Sequence, residues 1–362
     1  MQTINEIFKT FGPEYINSFG TSMPNNHKKV IDAIISCRTK ACGMVVYECT
    51  KCGTMHTTFR SCGNRHCPKC QNHKIKLWVE KQMKNQLPVH YFMITFTVPE
   101  QIRYFIRSNQ KAAYAGMFKA SSGALKKLTP DPKYIGGDIP GFFGALHTWG
   151  RQLQYHPHIH YIVPGGAVTK NDGKWHSSRN NFYLPVKALS KIFKAKFHDE
   201  MKKADLLTSI PLEAWKINWN VNCQAIGNST KGIKYLAPYV FKVAISDNRI
   251  IKVENRKVFF KYKKTKSNRF RTMQLDVMEF IRRFLQHVLP TGFMKIRYYG
   301  FLHPSSGISL ELIKKTMKNI LDAKTVESKP ETKPAIVCPD CGGELKYYCS
   351  ILPYQIMPSN TG

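Results

Sequence analysis

Two histidines at alternate positions, His158 and His160, form the start of a metal site. They belong to His156-Pro-His-Ile-His-Tyr-Ile-Val163, whose composition predicts a β-strand. Alternate side chains of a strand point to one face, so both imidazoles face the same way while Ile159 faces the core. Two half-exposed histidines without a metal are the alternative, because imidazole is also a common surface group. His147, on a predicted neighbouring strand over residues 144–149, can reach the same face as a third ligand of a divalent ion.

Tyr235 and Tyr239 are four residues apart in a predicted helix that Ser229 or Thr230 caps. Side chains with this spacing share one helical face. An ordinary amphipathic core position is the commoner fate of such a pair, but a histidine-held metal beside two phenols suggests attack on a phosphodiester. Pro238 removes a backbone hydrogen bond at a cost of about 3 kcal/mol and predicts a kink between the phenols.

The charge of the chain indicates a polyanionic partner. Its 55 Lys and Arg residues against 23 Asp and Glu residues give a net charge of +32. Such a charge favours nucleic acid, since no basic amphipathic helix indicates a membrane surface. Residues 252–271 hold nine cations and one acid with aromatic residues between them, a composition suited to single-stranded nucleic acid. A β-hairpin with a solvated face is the alternative. The predicted DNA contacts are Arg65, Lys234, Lys261, Lys263, Lys264, Arg269, Arg271, Arg282 and Arg283.

The cysteines are clustered, and no export signal precedes them, so they are expected to bind metal instead of forming disulfides. Two CxxC pairs, Cys49 with Cys52 and Cys67 with Cys70, are separated by 14 residues. This spacing predicts a single four-cysteine zinc ribbon. A second zinc is a weaker prediction, because small buried cysteines are common; its ligands would be Cys37, His56, Cys62 and His66.

A third group of cysteines, Cys338, Cys341 and Cys349, follows a predicted linker over residues 323–335. It resembles most of another ribbon without an evident fourth ligand, for which His303 and His287 are candidates if the fold allows. The cysteines therefore predict one to three structural Zn²⁺ ions per chain.

The secondary structure predicted around these residues is mixed. Strands are expected over residues 91–98, 144–149, 158–163 and 215–223, the second and third joined by a polar turn, with helices over 100–127, 187–203 and 275–289. Cys223 is expected in the core. The chain has neither a signal peptide nor a stretch of about 18 apolar residues, so we expect a cytoplasmic protein with no membrane partner.

The motifs, taken in order, resemble the rolling-circle HUH transposases with an N-terminal zinc-binding domain, of the insertion-sequence ninety-one type. The resemblance runs from Cys37 to about Phe301. The motifs that carry it are Ser61–Gln71, Leu146–Gly150, His156–His160, Tyr235–Tyr239, Ala244–Arg249, Glu279–Pro290 and Arg297–Phe301.

This resemblance implies an α+β fold: an antiparallel-sheet HUH nuclease core flanked by helices, preceded by a small cysteine-rich zinc-binding domain. We expect domains over residues 1–85, 86–300 and 301–362. The resemblance also implies that His158 and His160 hold Mg²⁺ or Mn²⁺, that Tyr235 and Tyr239 are the nucleophiles, and that single-stranded DNA at mobile-element ends is cleaved and rejoined, in a prokaryotic cytoplasm at the nucleoid. A replication initiator or relaxase with the same nicking chemistry is one alternative, and a non-catalytic zinc-ribbon DNA-binding protein is another.

Overall fold

The computed structural model describes residues 3–241, 244–264, 267, 269–318 and 336–353. Within these ranges, the side chains of residues 229, 231, 238, 239, 241 and 318 are not described. The predicted linker over residues 323–335 lies outside the described residues. The element bounds below refer to the described part of the chain.

The α-helices are amphipathic segments that pack on sheets or on each other. They are α1 (Ile4–Phe19), α2 (Asn25–Ser36), α3 (Asn72–Lys84), α4 (Arg103–Ser108), α5 (Gln110–Leu128), α6 (Val186–Lys203), α7 (Glu213–Lys216), α8 (Ser229–Phe241), α9 (Val277–Leu285) and α10 (Leu310–Lys318). Local capping defines two of the starts. A capping box between Thr3 and Glu6 begins α1, and the Asp276 side chain accepts from Met278 N at 2.8 Å to begin α9.

The β-strands form four antiparallel sheets. They are β1 (Met44–Cys49), β2 (Met55–Phe59), β3 (Tyr91–Thr97), β4 (Ile139–Pro140), β5 (Phe142–Trp149), β6 (Tyr155–Pro164), β7 (Gly166–Val168), β8 (Trp175–Ser177), β9 (Asn220–Gly227), β10 (Ile250–Glu254), β11 (Lys257–Lys263), β12 (Phe270–Asp276), β13 (Ile296–Tyr299) and β14 (Leu345–Ile351).

The largest sheet has five strands in the order β13-β5-β6-β3-β9. Its two central strands carry the histidines, and every residue of β5 and nearly all of β6 is buried. Because residues on both faces of these strands are buried, other elements must pack on both faces of the sheet. Helices α5 and α6 cover one face through Tyr114, Phe118 and Phe193, and α8 covers the other through Leu236 and its neighbours. This confirms the expected α+β class with an antiparallel sheet between helices.

The helix α8 lies between the sheet and α3, which leads out of the cysteine-rich region. Ile233, Leu236 and Val240 of α8 form one core cluster with Trp78 of α3 and Phe143 of β5. The cysteine-rich region and the helix carrying Tyr235 are therefore held in one packed layer.

A second unit packs beside the hairpin that carries the histidines. Helix α9 and the β10-β11-β12 sheet share a core with α1 and α2. Leu153, in the β5–β6 turn, is fully buried in this core with a φ of 62°. The turn was predicted to be polar, and for Leu153 that prediction was wrong because α9 and its sheet cover the turn.

The other predicted elements are mostly present. The strand expected over residues 215–223 begins only at Asn220, since Trp215 lies in α7 and stacks on Trp219. The helix expected over 100–127 is divided at Asn109. Cys223 is partly buried against the main core, as predicted.

Candidate active site

His147, His158 and His160 converge on one face of the central sheet. His147 lies directly opposite His158 in the β5–β6 register, and His160 follows two residues later on the same face. One ring nitrogen from each histidine lies within 4.8 Å of the others. The structure therefore brings together the three side chains that the sequence predicts for a divalent ion.

Hydrogen bonds fix the orientation of two of these rings. Nδ1 of His158 lies 2.7 Å from the carbonyl oxygen of His156, and Nδ1 of His160 lies 2.8 Å from the hydroxyl of Thr95. The carbonyl can only accept, so His158 Nδ1 carries the proton and Nε2 keeps a lone pair. The Thr95 hydroxyl allows the same tautomer for His160. A partner on one ring nitrogen that leaves the other for a metal is the usual arrangement of protein metal sites.

Burial keeps the three imidazoles neutral. Desolvation, followed by the neighbouring histidines, lowers the pKa of His147 and of His158 well below the usual value. The pKa of His160 falls to about 4 for the same reasons. A neutral imidazole is the form that binds metal, so this set fits a divalent cation at neutral pH.

The Trp149 ring packs against the His147 ring. The two rings are stacked at an interplanar angle of 16° with centroids 4.8 Å apart. The Lys295 ammonium lies 4.7 Å from the centroid of the Trp149 ring. The indole thus lies in contact with a cation and with the histidine ring, and this packing fixes the direction of His147.

Tyr235 approaches the histidines. Its ring stands edge to face with His160, with centroids 6.2 Å apart and an interplanar angle of 88°. The Tyr235 side chain is 49% exposed, whereas its neighbour Leu236 is fully buried against the sheet. Helix α8 extends from Ser229 to Phe241 and includes Pro238. The side chain of Tyr239 lies outside the described residues, so its role and the predicted kink stay predictions.

The histidines and Tyr235 line one cleft of about 720 Å³. Among the described residues, six cations and no Asp or Glu line it as well; the cations are Arg103, Arg151, Arg249, Lys263, Lys264 and Arg271. Tyr262 of β11, directly opposite Arg271 of β12, also faces the cleft. The basic segment predicted for nucleic acid therefore borders the predicted metal site.

The predicted DNA-contacting residues separate into two groups. Lys234, Lys261, Arg269 and the cleft residues Lys263, Lys264 and Arg271 are exposed. Arg65, by contrast, donates to the backbone carbonyls of Phe293 and Pro290. Arg282 and Arg283 both bind Glu279, with nitrogen–oxygen distances of 2.6 Å. We therefore exclude these three arginines from the proposed DNA-binding surface, because their guanidinium groups already bind protein oxygens.

Not every aromatic residue of the basic segment is available to stack on bases. Phe260 is fully buried and Phe259 contacts the Lys252 ammonium, whereas Phe270 is 67% exposed. The alternation along β11 explains this, because Val258 and Phe260 share the face that packs on α9.

Sequence reasoning missed several residues of the cleft. Arg151 donates to the carbonyls of Lys263 and Lys264, and Arg249 donates to the carbonyls of Lys261 and Arg151. These bonds join the histidine hairpin to β11. Thr95 was also missed, although a threonine within the apolar strand Tyr91–Val98 was a usable signal.

The cysteines form two separate clusters. Cys37, at the end of α2, lies with Cys62, Cys67 and Cys70, all four sulfurs within 4.8 Å of one another. The Cys62 and Cys70 sulfurs are 3.8 Å apart. Hydrogen bonds from Cys62 and Cys67 lower the pKa of the Cys70 thiol, whereas contacts within the same cluster raise the pKa of the Cys62 thiol. Four cysteine sulfurs at this spacing fit one tetrahedral zinc.

The second cluster joins the two ends of the chain. Cys49 and Cys52 lie with Cys338 and Cys341, and the Cys49 and Cys341 sulfurs are 3.4 Å apart. The cause is strand pairing, because β14 hydrogen-bonds to β1 with Cys49 opposite Leu345. The turn that holds the C-terminal cysteines is thereby brought over the turn that follows β1.

The predicted grouping of Cys49, Cys52, Cys67 and Cys70 as the ligands of a single zinc ribbon was therefore wrong. Each CxxC pair takes its partners from elsewhere in the chain. The prediction of a separate C-terminal ribbon was also wrong, because Cys338 and Cys341 complete the N-terminal pair Cys49 and Cys52.

The remaining candidate ligands lie outside both four-sulfur clusters. His56 Nε2 is 3.2 Å from the Cys338 sulfur and 3.6 Å from Asp340, beside the second cluster instead of the first. His66 accepts from Arg65 Nε, and Cys349 lies on β14 opposite Val46. His287 is buried, with Nδ1 3.2 Å from the Thr148 hydroxyl.

Comparisons with known proteins show the family of the chain. A family model described as "Transposase zinc-binding domain" matches residues 7–98, and one described as "Putative transposase" matches residues 141–308. "Putative transposase y4qJ" of Sinorhizobium fredii (strain NBRC 101917 / NGR234) is 35% identical over 326 residues, covering 83% of this chain and 80% of that protein. The chain belongs to the IS91-type transposases.

A second relative of this transposase is the "Transposase for insertion sequence element IS801" of Pseudomonas savastanoi pv. phaseolicola. It is 26% identical over 296 residues, which cover 76% of this chain and 70% of that protein. No solved structure matches the transposase. Among the described residues, none of its helices is long and apolar enough to cross a membrane. The zinc-binding domain model and the two cysteine clusters together support structural zinc.

Proposed function

We propose that this transposase cleaves and rejoins single-stranded DNA at the ends of a mobile element, with Tyr235 as the nucleophile. The observation that carries this proposal is the edge-to-face placement of Tyr235 on His160 inside a cation-lined cleft. Enzymes that use tyrosine in this way need a phenol, a means to neutralise phosphate charge and a track for the DNA backbone. The cleft supplies residues suited to each task.

The three neutral histidines are the residues that would hold Mg²⁺ or Mn²⁺. The fit rests on their converging ring nitrogens and on the hydrogen bonds that Thr95 and the His156 carbonyl make to Nδ1 of two of them. A divalent ion bound there would withdraw charge from the scissile phosphate and orient it for in-line attack.

The phenol oxygen of Tyr235 forms the new bond to phosphorus. The bond from phosphorus to the 3′ oxygen breaks, and that oxygen leaves as a 3′-hydroxyl after it gains a proton. The phenolic proton passes to the water that reaches this half-exposed side chain. The product is a 5′-phosphotyrosine ester that keeps the phosphodiester energy, so a 3′-hydroxyl can rejoin the strand without a nucleotide cofactor.

The exposed cations of the cleft, Lys263, Lys264 and Arg271, bind the backbone of the strand. Lys263 comes from β11 and Arg271 from β12, and Arg103 of α4 also lines the cleft. Tyr262 lies among them and offers a ring on which an unpaired base can stack. Cations interleaved with an aromatic ring favour single-stranded over double-stranded DNA.

Tyr239 is proposed as a second nucleophile on the same helix. It lies one turn after Tyr235 on α8, so the two residues share a helical face. A second tyrosine permits a second cleavage before the first phosphotyrosine is resolved.

The test is cleavage of end-derived single-stranded oligonucleotides with Mg²⁺ or Mn²⁺. We expect His158→Ala and His147→Ala to reduce cleavage at least about 100-fold. His156→Ala is the matched control, because His156 lines the same cleft but is not part of the three-histidine set. An equal loss of cleavage in all three variants, or no loss in any of them, would refute the metal site. If duplex DNA were cleaved as fast as single-stranded DNA, the proposed substrate would be wrong.

A further inference from the structure

A second cavity, of about 380 Å³, lies between the cysteine-rich region and the central sheet. Arg65, His66 and Lys74 line it from the cysteine-rich side, and Leu289, Phe293 and Lys295 line it from the segment before β13. Trp149 lines both this cavity and the catalytic cleft. One indole side chain therefore belongs to the walls of both.

His66 offers the cavity a buried donor. Arg65 Nε donates to His66 Nε2 at 3.3 Å, so Nε2 is an acceptor and the proton of the neutral ring is on Nδ1. His66 is 6% exposed, and Nδ1 has no hydrogen-bond partner among the described residues. A buried N–H without a partner costs free energy, which a ligand acceptor would recover.

The charge of the cavity complements an anion. Within the part of the chain that the structure describes, its lining includes Arg65, Lys74 and Lys295 and contains no Asp or Glu. Lys295 is partly buried, and desolvation, with a smaller contribution from Arg65, lowers the pKa of its ammonium to about 7. An anion placed beside it would raise that pKa again and stabilise the charged form.

The rest of the lining is apolar and partly open. Phe293 and Leu289 form the inner wall, and Met294, which is 67% exposed, lies at the mouth. A cavity of a few hundred Å³ with apolar walls and a few polar groups is the common form of a small-ligand site, with volumes of about 300–1,000 Å³.

We infer that this cavity binds one nucleotide of the single-stranded DNA beyond Trp149, with the phosphate facing His66, Lys74 and Lys295 and the base lying against Phe293 and Met294. The inference rests on the proposed function, because the strand that fills the cleft supplies the nucleotide. The cavity then sets where the strand lies relative to Tyr235 without taking part in bond cleavage.

The test is photo-crosslinking of oligonucleotides that carry 5-iododeoxyuridine at successive positions, with no divalent ion added. At one position we expect a crosslink to the peptide that contains Phe293 and Met294. Crosslinks that map only to Tyr262 and Phe270, at every position, would overturn the inference and leave the proposed function intact. Absence of any crosslink, together with absence of cleavage, would overturn both this inference and the proposed function.

Affinity measurements provide a second test. Lys295→Met should weaken oligonucleotide binding about 10- to 150-fold, since a hydrogen bond to a charged group contributes about 1.5–3 kcal/mol. Lys74→Met, at an exposed position, should reduce the salt dependence of binding by about 0.7 in log–log slope. Lys81→Met, farther along α3, is the matched control and should change neither quantity.

Unchanged affinity in both cavity variants would overturn the inference. A competition experiment with inorganic phosphate distinguishes binding of a nucleotide phosphate from binding of free phosphate. If inorganic phosphate stabilises the wild type against heat while Lys295→Met binds DNA normally, the cavity binds free phosphate and the nucleotide assignment is wrong.

Discussion

Thr95 and His160 are directly opposite each other on β3 and β6, and the Thr95 hydroxyl lies 2.8 Å from His160 Nδ1. The pairing is a consequence of register, because a shift of one residue would put the threonine on the other face of the sheet. The hydroxyl holds the ring that also contacts Tyr235. One hydrogen bond thus connects the sheet, the predicted metal ligand and the proposed nucleophile.

Thr95→Val keeps the shape of the side chain and removes this hydrogen bond. We expect the affinity for the divalent ion to fall about 10- to 100-fold, the usual effect of losing the partner of a ligating histidine. Titration of cleavage rate against Mn²⁺ concentration measures the change. Thr97→Val, the same substitution two residues along β3 and opposite His158, is the control. If both variants need the same Mn²⁺ concentration as the wild type, the Thr95 hydroxyl does not orient His160.

Cys341→Ser tests the ligand sets of the two zinc sites. If Cys338 and Cys341 complete the site of Cys49 and Cys52, the variant should hold about one zinc per chain where the wild type holds two. The C-terminal strand β14 should also become more sensitive to protease, since the zinc joins it to β1. Metal analysis and limited proteolysis measure these effects. Cys349→Ser, on β14 itself, should keep both ions. A full zinc content in Cys341→Ser would instead support the prediction of a single N-terminal ribbon.

The cations of β11 and β12 should act on binding more than on chemistry. Lys263→Met and Arg271→Met should each lower the log–log salt slope of single-strand binding by about 0.7, the value for one phosphate contact. The single-turnover rate at saturating DNA should stay close to that of the wild type. Lys257→Met, at the opposite end of β11, is the matched control. Equal slopes in all four proteins would exclude the β11–β12 edge as the DNA track.

Glu279 should stabilise the unit that anchors the histidine hairpin. Its hydrogen bonds to Arg282 and Arg283 lower the pKa of the carboxyl to about 2, and Arg283 also donates to the carbonyl of Gln152 in the β5–β6 turn. A lowered folded-state pKa means that the contribution is complete above the unfolded pKa, about 4.3, and is lost as pH falls toward 2. Glu279→Gln should therefore lower the free energy of unfolding at pH 7, by at most about 1 kcal/mol at this partly exposed site. Urea unfolding from pH 7 to pH 2.5 should show the difference shrinking; a difference that is constant with pH would contradict this assignment.

Short-range patterns were enough to predict the face of the sheet on which the three histidines meet. His158 and His160 alternate along one strand, and His147 lies within reach on the next, so the period of a β-strand alone places all three together. The Tyr235 helix followed from its own pattern and from the family resemblance. These features depend on residues close in sequence, which is why they could be predicted.

The zinc sites and the hairpin anchor could not be predicted in the same way. Cys338 reaches Cys52 only because β14 pairs with β1 across almost the whole chain. Leu153 lies in a turn with polar neighbours, and it is buried only because α9 and its sheet cover it. Arg65 has the character of a surface cation, but the carbonyls of Pro290 and Phe293 bind it. In each case the partner is distant in sequence, and no local pattern marks it.

The most direct test of the account is to map the covalent adduct formed with an end-derived single strand and Mn²⁺. After digestion with nuclease and protease, mass spectrometry should find a 5′-phosphonucleotide on the peptide that contains Tyr235. The adduct should be absent from Tyr235→Phe, and it should be formed by Tyr262→Phe, whose phenol lies in the same cleft. An adduct that persists in Tyr235→Phe, or cleavage by the wild type with no covalent adduct at all, would contradict the assignment of Tyr235 as the nucleophile.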